Sequence, residues 1–189
     1  MEIRSFLAFE LPAEIQRILS AVFEEARTLL SNVRWVRVAN IHLTMVFMGN
    51  VPEAQLGPIG EAAGGVCREY APFHIQLKGL GLFGSRRNPR VLWVGLGGDR
   101  DRMSCFRGDL QKALKPFGIK EEKRPFRPHL TLGRFRKGVK SGAHLGDLLA
   151  KYEDLNSPQT LLNELVLFRS DLNPGGAVYT KQRTWPLTG

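Results

Sequence analysis

One four-residue pattern occurs twice in this chain, and the distance between its copies constrains the fold more than the pattern itself. His42-Leu43-Thr44-Met45 and His129-Leu130-Thr131-Leu132 are separated by 87 residues. The same step carries the apolar stretch at 3–10 onto RVLWVGLG at 90–97, and the helical stretch at 14–31 onto 101–118. Strand, helix and His-x-Thr strand thus recur in order with no net gap, over about 3–48 and 90–135. Side chains outside the motif match poorly, so an internal repeat rests on spacing alone. A length of 189 residues suits one domain over 1–189, or two small lobes sharing a cleft.

Periodicity and breakers fill in the elements between. Ile3–Leu11 reads as a buried strand, and Pro12 opens a helix to about Ser31 on Ile15, Ile18, Leu19, Val22, Ala26, Leu29 and Leu30. Strands Arg34–Val38 and His42–Met48 follow, joined by a turn at Ala39–Asn40. A helix over Glu53–Tyr70 is weakened by Gly57, Pro58, Gly60, Gly64 and Gly65. Then come strand Phe73–Phe83, loop Gly84–Pro89, strand Arg90–Leu96, a helix from Asp101 to about Lys115, and strand His129–Phe135. The tail offers a short helix near Leu145–Lys151 and a hairpin, Leu161–Leu172 with Ala177–Trp185, turned by Asn173-Pro174-Gly175-Gly176.

On a strand, residues i and i+2 share a face, so His42 projects with Thr44, and His129 with Thr131. The alternation sends Leu43, Met45 and Phe47, like Leu130 and Leu132, toward a core. A lone strand histidine is ordinarily a hydrogen-bonded structural residue, and a strand threonine is ordinarily there for β-propensity. Two equivalent pairs change that reading, because polar faces of two matched strands invite one shared cleft. His74 and His144 keep the structural reading. Imidazole serves as base or acid near neutral pH, with an unperturbed pKa of about 6.5. Opening a cyclic phosphate needs one of each, roughly in line, and each threonine hydroxyl can donate to a non-bridging oxygen. Zinc or two-metal phosphoesterases set carboxylates beside their histidines. Neither motif has an acid close by on its strand, and neither Cys67 nor Cys105 belongs to a ligand pair. Metal-free chemistry with no cofactor is the expectation, while a metal site assembled from distant residues stays open.

A net charge of +9 is unevenly placed. Residues 120–140 hold eight bases (Lys120, Lys123, Arg124, Arg127, Arg134, Arg136, Lys137, Lys140) against Glu121 and Glu122, which is +6 of that total. Arg86, Arg87 and Arg90 form a second knot in a loop. Such clusters suit a polyanion, so nucleic acid or a nucleotide is the expected partner. No apolar stretch reaches the length of a membrane span. The first ten residues carry Glu2, Arg4 and Glu10, unlike a signal peptide. Two cysteines cannot build a disulfide framework, and free thiols suit a cytoplasmic protein.

The stretches RSFLAFELP, HLTMVFMGNV, FGSRRNPRVLWVGL and RPHLTLGRF, in this order, resemble the two-histidine phosphoesterase superfamily, and within it the RNA 2′,3′-cyclic phosphodiesterases formerly described as 2′-5′ RNA ligases. The resemblance spans nearly the whole chain. It implies a monomeric α+β protein without an obligate protein partner, made of two pseudo-symmetric lobes. Each lobe is mainly antiparallel sheet with helices outside, and the active-site cleft lies between them. By the same resemblance His42 is the proton donor and His129 the proton acceptor, the substrate is an RNA end or nucleotide bearing a cyclic phosphate, and the product carries a 2′-phosphate. Thr44, Thr131 and Arg134 match substrate-binding positions, and Phe47 and Arg127, beside the motifs, are carried as further substrate-binding candidates. Action on 2′-5′-linked oligonucleotides, as phosphodiesterase or ligase, is the alternative enzyme reading. A noncatalytic RNA-binding module is the alternative outside enzymes. Arg134 poses a geometric problem, since five residues after His129 an unbroken strand would point it away from the cleft. Gly133 can take the backbone of a β-bulge, so an irregular strand there is expected to turn Arg134 toward the phosphate.

Overall fold

The computed structural model describes residues 1–136, 144–174 and 176–189, which leaves Lys137, Lys140 and Gly175 of the sequence reading outside the described residues. In chain order its elements are β1 (Glu2–Glu10), α1 (Ala13–Leu29), β2 (Val33–Trp35), β3 (His42–Pro52), α2 (Leu56–Arg68), β4 (Phe73–Gly84), β5 (Pro89–Gly98), α3 (Arg100–Leu114), β6 (His129–Phe135), α4 (His144–Lys151), β7 (Thr160–Leu162), β8 (Glu164–Asn173) and β9 (Gly176–Pro186). They form two antiparallel sheets, ordered β3-β1-β8-β9 and β2-β6-β5-β4-β7. This is the expected α+β, two-lobed architecture.

One apolar cluster runs behind both sheets. Leu7 and Phe9 of β1, Leu92 and Val94 of β5, Leu43 of β3 and Leu130 of β6 meet Ile15 and Leu19 of α1 and Phe106 of α3 there. Phe9, Phe73 and Phe106 interlock at centroid distances of 5.4–5.9 Å. Among the described residues no helix is long and apolar enough to cross a membrane.

Two connections depart from the sequence reading, and both exchange strands between lobes. Val33–Trp35 does not form a hairpin with His42 but pairs with β6 in the opposite sheet. A 3-10 turn, Val38–Asn40, brings the chain back. Trp35 packs edge-on against Phe23 of α1 (5.3 Å), which fixes the crossing. Likewise Leu161–Leu172 is two strands split at Asn163, β7 on the edge of β4 and β8 beside β1. Two of the glycines of α2 are a packing requirement: a Cβ would lie 3.0 Å from Cζ2 of Trp185 on Gly60 and 2.6 Å from its Cδ1 on Gly64, because the indole covers the helix there. The two halves also match less simply than a step of 87. Phe6 and Ala8 pair with Phe47 and Thr44, where Val91 and Trp93 pair with Arg134 and Thr131. The first strands therefore correspond at 85 residues, and the two-residue difference falls before α3.

Candidate active site

Both motif strands leave regular register at the same place. On β3, Thr44 pairs with Ala8 and Val46 with Leu7, so Met45 is an extra residue. On β6, Thr131 pairs with Trp93 and Gly133 with Leu92, so Leu132 is extra. Each is a β-bulge directly after the motif threonine, and in each the two consecutive residues, Met45-Val46 and Leu132-Gly133, are buried. The alternation shifts by one, which returns Phe47 and Arg134 to the face of their histidines. Residues paired directly across a ladder share a face. His42, Thr44 and Phe47 oppose Glu10, Ala8 and Phe6, while His129, Thr131 and Arg134 oppose Gly95, Trp93 and Val91. The irregularity expected at Gly133 is present, with Arg134 on the histidine face. Phe47, placed in the core by strict alternation, is instead 50% exposed, because the bulge at Met45 turns it outward.

The first bulge is braced from the other lobe. Arg107 of α3 donates from Nε to the Met45 carbonyl (3.2 Å) and from Nη1 to the Arg124 carbonyl (3.5 Å), with its guanidinium over the Phe126 ring. One side chain thus ties β3 to the loop that leads into β6.

Each imidazole is held in the same way. Nδ1 of His42 donates to the carbonyl of Asn40, and Nδ1 of His129 to that of Arg127, both at 2.7 Å. A carbonyl only accepts, so Nδ1 carries the proton in both and Nε2 is the working nitrogen. Asn40 is itself anchored by Nδ2–H donation to Ala177 on β9 (2.9 Å). Arg127 enters the site through its backbone, and its side chain is exposed.

The surroundings differ. His42 stacks on Phe6 (4.7 Å, 23° between planes), which stacks in turn on Phe168 (5.1 Å), with Tyr179 edge-on to His42 (5.3 Å). Phe6, Ala8, Val166 and Phe168 form a second apolar cluster on the cleft face of the first sheet. Burial on this bed pushes the His42 pKa below the ordinary imidazole value, against the raising effect of the Asn40 carbonyl. His129 meets Phe83 edge-on (4.8 Å) and Trp93 at 6.3 Å. Its pKa is also lowered, by burial first and then by the charge of Arg134, with the Arg127 carbonyl opposing. Tyr179 of the first sheet is raised in pKa by burial, against the opposing charges of Arg4 and Arg134. Arg34 of β2 pairs directly with Arg134 and adds a second guanidinium to the same face. A hollow of about 110 Å³ beside His42 is lined by Gln16, Asn40, Tyr179 and the Glu10–Lys181 ion pair, among others.

The remaining histidines lie elsewhere: His74 faces Asp99 at 3.5 Å, and His144 begins α4. Of the basic cluster, Arg124 is tied to Glu122, while Lys120, Lys123, Arg127, Arg134 and Arg136 are exposed. Sequence reasoning missed Phe6, Phe83, Trp93, Tyr179 and Arg34. Their signal is the parity of their strands relative to the motifs, which is readable only once the ladder partners are known.

Known proteins carry the same frame. The model of the LigT-like phosphoesterase family matches residues 9–93 and 98–179. An RNA 2′,3′-cyclic phosphodiesterase of Methanothermobacter thermautotrophicus is 32% identical over 190 residues, 99% of this chain and 100% of that protein. One from Aeropyrum pernix is 33% identical over 78% of this chain and 82% of its own. The crystal structure of Escherichia coli LigT complexed with 3′-AMP superposes with a TM-score of 0.76 at 25% identity, covering all of both chains. With two bulged His-x-Thr strands, one in each half of the matched region, this chain belongs to the LigT-like phosphoesterase family.

Proposed function

We propose that the protein is an RNA 2′,3′-cyclic phosphodiesterase that opens the terminal cyclic phosphate with water to a 2′-phosphomonoester, with no metal or cofactor. The matched Nδ1 bonds carry this reading, since they leave two imidazoles with Nε2 free on the faces that meet at the cleft. Neutral His129 takes a proton from water through Nε2 as the water oxygen bonds to phosphorus. The P–O3′ bond breaks, and Nε2–H of His42 protonates the departing 3′-oxygen. Thr44 and Thr131 donate to the non-bridging oxygens, and Arg134 balances their charge. The positive field of Arg134 at His129 favours the neutral, basic form there. The aromatic faces under His42 favour an imidazolium once an anionic substrate offsets its burial. The exposed bases along 120–136 and the names of the relatives support an RNA end as substrate.

The test is turnover of a nucleoside 2′,3′-cyclic phosphate after exhaustive EDTA treatment, with the product isomer read by ³¹P NMR. The expected result is full activity and a 2′-phosphate. Loss of activity restored by added zinc or manganese overturns the metal-free mechanism, and a 3′-phosphate product overturns the assignment of the leaving oxygen.

A further inference from the structure

The first sheet carries four cations on its strands, and three of them are neutralised. Arg169 pairs with Asp171 (3.0 Å), Lys181 with Glu10 (2.5 Å) and Arg183 with Glu61 (2.7 Å). Arg4 is the exception. Among the described residues it has no carboxylate within ion-pair reach, and its guanidinium lies over the Phe47 ring at 4.6 Å from the centroid. Strand parity puts it on the same face of β1 as Phe6, the ring under His42, and it is exposed. At a strand rise of about 3.3 Å per residue, its Cα lies about 7 Å beyond that of Phe6, away from His42.

The bulges give this placement a meaning. Phe47 occupies the position on β3 that Arg134 occupies on β6, so the motif strand of the first lobe lacks the cation of the second. Arg4, lying over Phe47, restores a positive charge there from the neighbouring strand. Its charge and that of Arg134 both bear on Tyr179, from opposite sheets. A guanidinium fixed against an aromatic face keeps its N–H edge free for an anion, and phosphate is the anion whose geometry that edge fits. Arg134 already serves the reacting phosphate in the reading above.

We propose that Arg4 binds the phosphate that precedes the reacting one in an RNA chain, so that the site selects strand ends over bare mononucleotides. The inference rests on the phosphodiesterase reading and deepens it. Three substrates separate its parts: a nucleoside 2′,3′-cyclic phosphate, the same compound bearing a 5′-phosphate, and a dinucleotide ending in the cyclic phosphate. In the wild type the second and third are turned over about tenfold more efficiently in kcat/KM than the first at low salt, as one charge-assisted contact allows. In Arg4→Gln that advantage drops about tenfold. The wild-type advantage falls with salt at a slope of about −0.7 in the logarithms, one phosphate's worth, and the slope vanishes in the variant. An equal loss on all three substrates overturns the proposal, since Arg4 would then serve the reacting phosphate or the fold. So does an advantage that survives Arg4→Gln, or one confined to the dinucleotide, which would belong to its extra base. A wild type inert toward all three removes the phosphodiesterase reading itself, and this inference with it.

Discussion

The two halves of the cleft share a backbone and differ in what they set against it. Each offers a strand, a His-x-Thr motif, a bulge after the threonine and a carbonyl two residues before the histidine. His42 then lies on the faces of an aromatic stack, and its nearest ion pair, Glu10 with Lys181, is internally balanced. His129 meets aromatic rings by their edges and stands in the field of Arg134. A two-fold frame supplies two imidazoles held alike, and the side chains around them give the two different surroundings. Interchangeable histidines would mean that these surroundings have no chemical consequence.

The largest expected effect tests that directly. General acid or base catalysis contributes about 10²–10⁴-fold per group, so His42→Ala and His129→Ala each lose about 3–5.5 kcal/mol of transition-state stabilisation. On a nitrophenyl phosphodiester the nitrophenolate departs without a proton. Such a substrate should partly rescue His42→Ala and leave His129→Ala nearly inert, measured as a ratio of kcat/KM losses. The reverse pattern exchanges the roles, and equal rescue removes the asymmetry.

A smaller effect concerns the bulges. Val46 and Gly133 are equivalent, yet one carries a side chain and the other none. The reason is the strand order: β3 is an edge, whereas β6 is covered by β2. A Cβ on Gly133 would lie 2.4 Å from Cγ1 of Val33 and 3.1 Å from the Trp35 ring. Gly133→Ala should therefore cost about 1–3 kcal/mol by overpacking and lower kcat/KM by re-aiming Arg134. Val46→Ala, 3% exposed in the wild type, loses about 1.5 kcal/mol of buried methyl groups with little change in turnover. Thermal unfolding beside kinetics reads both, and a neutral Gly133→Ala would mean that β2 yields freely.

That crossing strand also marks where the sequence stopped being legible. The helices α1 and α3 are legible to within a residue or two through their long apolar periods, and the strand His129–Phe135 through its His-x-Thr pattern, although its partners β2 and β5 are not its sequence neighbours. β2 and β7 are three residues each, too short for a period, and their partners are remote in sequence. The bulge at Gly133 had a glycine to signal it. The one at Met45 had only apolar residues, and Phe47 was misplaced as a result. The low helix propensity of α2 hides the reason for two of its glycines, since Gly60 and Gly64 make room for Trp185, more than a hundred residues away.

The subtlest difference between the two histidines lies in their titration. Both imidazole pKa values are lowered by burial. The pH profile of kcat/KM reports the free enzyme, which on the proposed mechanism needs His129 neutral and His42 charged. Where His129 titrates below His42, the order that the positive charge of Arg134 beside His129 favours, the acid limb reports His129 and the basic limb His42. With both pKa values below the ordinary one, the optimum should fall on the acid side of about 6.5. A bound phosphate dianion or diester anion raises both, so the limbs of kcat should sit at higher pH than those of kcat/KM. Each aromatic wall can then be removed separately. Phe6→Leu opens the bed under His42 to water, which relieves the desolvation and moves the basic limb upward while leaving the acid limb in place. Phe83→Leu does the same at His129 and moves the acid limb upward alone. Phe6 is 3% exposed, so the first variant should also lose stability, by about 1 kcal/mol for a near-conservative apolar swap, which unfolding measurements account for separately. If Phe6→Leu shifts the acid limb instead, His42 either titrates below His129 or serves as the base, and the nitrophenolate substrate tells these apart. If neither substitution moves either limb, the walls shape the cleft without tuning its histidines, and the division of labour must come from Arg134 alone.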